Sequence, residues 1–126
     1  MIHKLYSAYD LPADHDTCHL FEHLIIRRFL KETEKIGGNR AFAGELDGTT
    51  SESSVFFTSA LFTSESNALF EKTINDITPF EVSLIQQSIS HIEAEMQSNI
   101  DLAKTINAAN MNAILKQVKA TLVLDY

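Results

Sequence analysis

Apolar and polar positions divide the chain into a few extended segments and several long helical ones. Ile2 to Leu11 reads as a strand, ended by Pro12, whose fixed φ and missing N–H stop a ladder. From about Thr17 to Ile36 apolar residues recur at helical spacing. Asp14 or Asp16 is available to cap the start, and Gly37-Gly38 to end it. Leu20, Phe21, Leu24, Ile25, Ile26, Phe29 and Leu30 wrap most of that helix, which predicts that it is largely buried. Two strands are predicted next, Arg40–Leu46 and Ser54–Phe62. The stretch between them, Asp47-Gly48-Thr49-Thr50-Ser51-Glu52-Ser53, has the composition of a turn. Beyond Thr63 the pattern becomes helical, over Ser64–Asp76, Pro79–Asn99 and Leu102–Ala120, before Thr121–Tyr126 reads as a closing strand. Few strands followed by several helices predict an α+β fold: an antiparallel sheet with helices packed on one face.

Composition adds limits. A length of 126 residues without repeats, low-complexity tracts or linkers suits one domain spanning 1–126. Net charge is −7, and no Lys/Arg cluster interrupts the acidic excess, which argues against nucleic acid as a ligand. The excess would favour basic peptides, although solubility alone accounts for it. A single cysteine, Cys18, excludes an internal disulfide and agrees with a reducing, cytoplasmic compartment. The opening Met1–Tyr6 leads into polar residues, so no signal peptide is expected. No stretch approaches the ~20 apolar residues of a membrane span.

The first long helix carries the chemistry. His19 and His23 are four residues apart, and Glu22 lies three after His19, so all three project from one side. Two imidazoles and a carboxylate are the donor types of a catalytic zinc site. Ionisable groups in so apolar a helix need partners, because an unpaired buried polar group costs roughly 2–7 kcal/mol. Either ring could instead hydrogen-bond in the core or sit exposed. Cys18, next to His19, points about 100° away and is not an obvious ligand. Ser51, Ser53 and Ser54 have no nearby His/Asp pattern and read as turn residues. On the later helix the apolar stripe Ile85, Ile89, Ile92, Met96 has Glu93 on one flank and Glu95 on the other, about equally placed.

His19-Leu20-Phe21-Glu22-His23 has the H-x-x-E-H order of the inverzincins. The surrounding stretch resembles the pitrilysin, insulin-degrading enzyme and mitochondrial processing peptidase family of zinc metallopeptidases. The resemblance runs through Gly37-Gly38-Asn39 and the polar segment Asp47–Ser54, then Val55-Phe56-Phe57, to Ile92-Glu93-Ala94-Glu95-Met96, covering about Thr17 to Asn99. It implies a shortened half of the pitrilysin-type fold, with His19, His23 and Glu95 as Zn2+ ligands and Glu22 as general base. His91, one turn before Glu95, would support the site or compete as a ligand. Ser88 stands where the family usually has a supporting acidic residue, and Leu46-Asp47-Gly48-Thr49 replaces its Asn-Ala-x-Thr segment. The family also places a second homologous half opposite this one, so a homo-oligomer or a complementary partner subunit is implied. The function implied is a zinc-dependent endopeptidase, or its metal-bearing subunit, acting on short or precursor peptides. The alternative is a non-catalytic metal-containing module that binds peptides or a partner. A substrate peptide would add as a strand along an edge near Ala41–Leu46 or Val55–Leu61.

Overall fold

Burial alternates over residues 55–59 of the strand Val55–Phe62: Val55, Phe57 and Ser59 are buried, whereas Phe56 and Thr58 are partly exposed. That period of two marks a sheet with one covered face. The computed structural model describes residues 2–8, 15–37, 45–50, 54–76, 78–96, 111 and 120–125. Its elements are β1 (Ile2–Ala8), α1 (His15–Lys35), β2 (Glu45–Thr50), β3 (Val55–Phe62), α2 (Ser64–Ile74), α3 (Val82–Met96) and β4 (Ala120–Asp125). The strands form an antiparallel sheet in the order β2-β3-β1-β4. Helices pack on it, giving the expected α+β architecture.

The core lies between the sheet and the helices. Leu20, Phe21, Leu24, Ile25 and Phe29 of α1 are fully buried, as is Cys18. Phe70 of α2 stacks edge-on against Phe29 at 5.5 Å and meets Phe57 of β3 at 5.9 Å, so three aromatic rings tie α1 and α2 to the sheet. On α3, Ile85, Ile89 and Ile92 form the buried stripe. Leu30, counted from the sequence as part of the buried surface, is instead 47% exposed, because α1 is covered on fewer sides than its apolar content suggested.

Local chemistry explains most boundaries. Gly37 ends α1 at φ 75°, a conformation that favours glycine, with its N–H donating to the Glu34 carbonyl at 3.0 Å. Asp16 falls inside the first turn of α1 rather than capping it, and Asp14 lies outside the described residues. Thr63 and Ser66 form a reciprocal capping box at the start of α2. The Ser66 N–H donates to Thr63 Oγ1 at 3.2 Å, and the Thr63 N–H donates to Ser66 Oγ at 2.8 Å. The α3 helix begins at Val82, three residues later than Pro79; residues 97–99 are outside the described set. The helix expected over Leu102–Ala120 also lies outside it, except for Met111, which is helical and fully buried, and Ala120, which opens β4.

Two expectations about the strands are corrected. The second strand runs on through Glu45–Thr50, so Asp47-Gly48-Thr49-Thr50 is strand and not turn; of the strand expected over Arg40–Leu46, residues 40–44 lie outside the described residues. An Asp-Gly pair suggests a turn, but ladder pairing with β3 holds it extended, Asp47 opposite Thr58 and Gly48 opposite Phe57. The edge suggested for Val55–Leu61 is also lost, because β3 is paired on both sides, by β2 and β1. Among the described residues, no helix is long and apolar enough to cross a membrane.

Arg28 fastens α1 to the α2–α3 connection. Its guanidinium donates to the Thr78 carbonyl at 2.7 Å and the Asp76 carbonyl at 3.3 Å, and lies 3.9 Å over the Phe80 ring. Arg28→Ala is therefore expected to cost about 2–3 kcal/mol, measured by urea unfolding, through lost charge-assisted hydrogen bonds and cation–π contact.

Candidate metal centre

Helical spacing brings the first two donors together. His19 and His23 share a face of α1, with ring centroids 4.8 Å apart and Nε2 atoms 3.2 Å apart. Both rings are part-buried, neither sunk in the core nor free in solvent. The packing of α3 against α1 supplies the third donor. Glu95 Oε2 lies 3.6 Å from His23 Nε2, and one donor atom from each of His19, His23 and Glu95 falls within 4.8 Å of the others. Glu93, its equal in helical periodicity, is not in this group. Among the described residues no other cluster of three His, Cys, Asp or Glu forms such a set.

The spacing can be compared with what zinc requires. Nitrogen and oxygen donors about 2.0–2.2 Å from a tetrahedral ion stand roughly 3.3–3.5 Å from one another. Two of the three separations, 3.2 and 3.6 Å, bracket that range, and all three donors lie within 4.8 Å of one another, a spread that a small side-chain turn would close. Two neutral imidazoles and a carboxylate are also the donor chemistry of such a centre, so these residues fit the group. Without an ion, one neutral imidazole can donate to the other across the same short gap.

Surrounding groups hold the set in place. Glu95 is 47% exposed, and its second oxygen, Oε1, meets His91 Nε2 at 3.1 Å, so His91 steadies the carboxylate that faces His23. The His91 ring lies 5.4 Å from that of His23. Ser88 is buried, and its hydroxyl finds no hydrogen-bond partner among the described residues, so it makes no hydrogen bond to this group. Glu22 turns towards β2. Its carboxylate accepts a hydrogen bond from the Thr50 hydroxyl and rests against Gly48, where an added Cβ would stand 2.6 Å from Oε1. Glu22, His23, His91 and Glu95 nevertheless line one cleft of ≈500 Å³, together with Arg27 and Gly48. Glu22 is thus adjacent to the donor set without belonging to it.

Comparison with protein-family models, curated proteins and solved structures finds no match. The case for this centre rests on its own geometry.

Several of its parts had only a faint trace in the sequence. Thr50 and Gly48 are two apart on β2 and so face α1 together, but that alternation was hidden by the turn-like composition. His15 continues the row of histidines one turn before His19, with ring centroids 6.2 Å apart, and Arg27 continues it one turn after His23; the i+4 spacing was the available signal.

Burial lowers the pKa of His23 below the ordinary 6.5. The neighbouring His19, then His91 and Arg27, push the same way, and Glu95 opposes them. A lowered imidazole pKa keeps the ring neutral, the form that can ligate. It also fixes a stability slope. Below pH 6.5 the unfolded chain takes up this proton before the folded one does, so stability is full above that pH and falls on acidification. The metal-free protein should therefore lose thermal stability between pH 7 and 5.5 more steeply than its His23→Gln variant, as read by circular dichroism.

Proposed function

We propose that the protein is a zinc-dependent endopeptidase, or the metal-bearing subunit of one, acting on short or precursor peptides. The observation that carries the reading is the convergence of His19, His23 and Glu95, two of which, His23 and Glu95, line one cleft with a separate carboxylate, Glu22. When bound, zinc would polarise the scissile carbonyl and lower the pKa of a water towards ~7. Glu22, which stands outside the donor set, would serve as general base towards an attacking water and return the proton to the leaving amine. The Thr50 hydroxyl and the Gly48 backbone orient the Glu22 carboxylate. His91 holds Glu95 by its outer oxygen. Strand β2, at the edge of the sheet among the described residues, runs beside Glu22 and offers backbone groups on which an extended peptide can align.

The family resemblance supports a second half facing this cleft, from another copy of the chain or from a complementary subunit. The lone Cys18 supports a cytoplasmic setting. One observation favours the alternative, a non-catalytic metal-containing binding module: His91, its ring 5.4 Å from that of His23 and its Nε2 3.1 Å from Glu95 Oε1, is a further imidazole beside the donor set, although outside the three-donor group.

The test is a zinc titration by calorimetry joined to hydrolysis of a quenched peptide library, with and without chelator. One zinc per chain and chelator-sensitive cleavage are expected. Metal bound without cleavage, alone or with candidate partners, would favour the binding module, and a Kd weaker than millimolar would overturn both readings.

A further inference from the structure

The α1 face that carries His19 and His23 continues at the same four-residue spacing to Arg27. Arg27 lines the cleft that contains Glu22, His23 and Glu95, and it lines a second groove of ≈640 Å³ walled by Ser83, Gln86, Gln87 and Ser90. Arg27 and His91 are the walls the two spaces share. Its neighbour Arg28 is fully committed to two carbonyls and an aromatic ring. The guanidinium of Arg27, by contrast, makes no hydrogen bond or ion pair with any described residue. In a chain with 17 acidic residues against 10 basic ones, a cation without a partner among the described residues, at the junction of two clefts, is positioned for an incoming anion.

We infer that Arg27 binds a carboxylate of the peptide substrate beside the metal centre, an inference that rests on the peptidase reading above. Guanidinium and carboxylate match as a two-pronged hydrogen-bonded pair, which fixes orientation as well as charge. Four residues of helix place Arg27 about 6 Å beyond His23. At roughly 3.3–3.6 Å per extended residue, the carboxylate sits one or two residues past the bond that is cut. Ile26 and the half-exposed Leu30 line the same cleft and offer an apolar wall to the side chain carried there. The substrate class is thus a peptide with an apolar residue and a carboxylate within one or two residues of the cleaved bond. That carboxylate is either the free C-terminus of a short peptide or an acidic side chain in a longer one.

The experiment reads binding, so it does not depend on turnover. Calorimetric titrations use the zinc-loaded Glu22→Gln protein and three ligands: an N-acetyl tripeptide ending in leucine as its free acid, the same peptide as its amide, and an amide with aspartate after the leucine. The free acid should bind about 10-fold tighter than the amide, and Arg27→Gln, its zinc loading verified, should erase that preference. Arg27→Lys should restore part of it. Recovery of affinity by the aspartyl amide assigns the carboxylate to a side chain; failure to recover it assigns the carboxylate to the C-terminus. Equal binding of acid and amide, or a preference that survives Arg27→Gln, overturns the inference. If the protein holds no zinc, the peptidase reading fails separately, and the same titrations on the metal-free chain still read the contribution of Arg27.

Discussion

Glu22→Gln is expected to keep one zinc per chain and to lose peptide hydrolysis by about 10³-fold, within the range that a positioned general base contributes. The substitution is nearly isosteric. An amide oxygen can still accept from the Thr50 hydroxyl, and the side chain can still lie against Gly48, so the shape of the cleft is preserved. Only the capacity to take up a proton is removed. Because Glu22 stands outside the group formed by His19, His23 and Glu95, zinc affinity should change little. Metal content by atomic absorption and initial rates on a fluorogenic peptide give the two readings. Loss of zinc would make Glu22 a ligand rather than a base, and undiminished rates would assign the proton transfer to another group.

What the sequence made legible follows the range of the interaction involved. His19 and His23 needed only one helical turn, a geometry that holds wherever a helix forms, and α1 was marked by apolar periodicity and the Gly37 stop. The helix from Ser64 and the strand through Val55–Phe62 were likewise read from local pattern. Glu95 is different. Periodicity placed Glu93 and Glu95 symmetrically about the stripe of isoleucines, and the choice between them is made by how α3 lies on α1, a non-local property that brings Glu95 to 3.6 Å from His23. Glu95 was implied only by the resemblance read from the motif, which no family match supports; residue spacing alone left the choice open. The β2 strand was misplaced for a related reason: Asp47-Gly48 has turn propensity, and its extended state comes from pairing with β3 and from the approach of Glu22 across the helix–sheet interface. The same packing decided which apolar residues of α1 were covered, leaving Leu30 in the cleft rather than in the core.

That close approach makes Gly48 a sensitive test of how Glu22 is positioned. A Cβ at residue 48 would lie 2.6 Å from Glu22 Oε1, 2.7 Å from Cγ and 2.9 Å from Cδ, all closer than atoms tolerate. Something must move, and the end of the glutamate side chain yields more readily than the ladder between β2 and β3. Replacing glycine in a strand also reduces the freedom of the unfolded chain, which partly offsets the crowding. Gly48→Ala should therefore change stability by only about 1 kcal/mol or less in urea unfolding. Its effect on catalysis should be far larger. A displacement of about 1 Å at a catalytic group can cost on the order of 100-fold, so hydrolysis should fall by that factor while zinc binding persists. The pairing of a mild stability change with a large rate loss is the signature expected if the bare backbone at residue 48 exists to leave room for the base. An unchanged rate would mean that Glu22 does its work from some other position, or does none. A large loss of stability would instead assign Gly48 to the packing of α1 on the sheet.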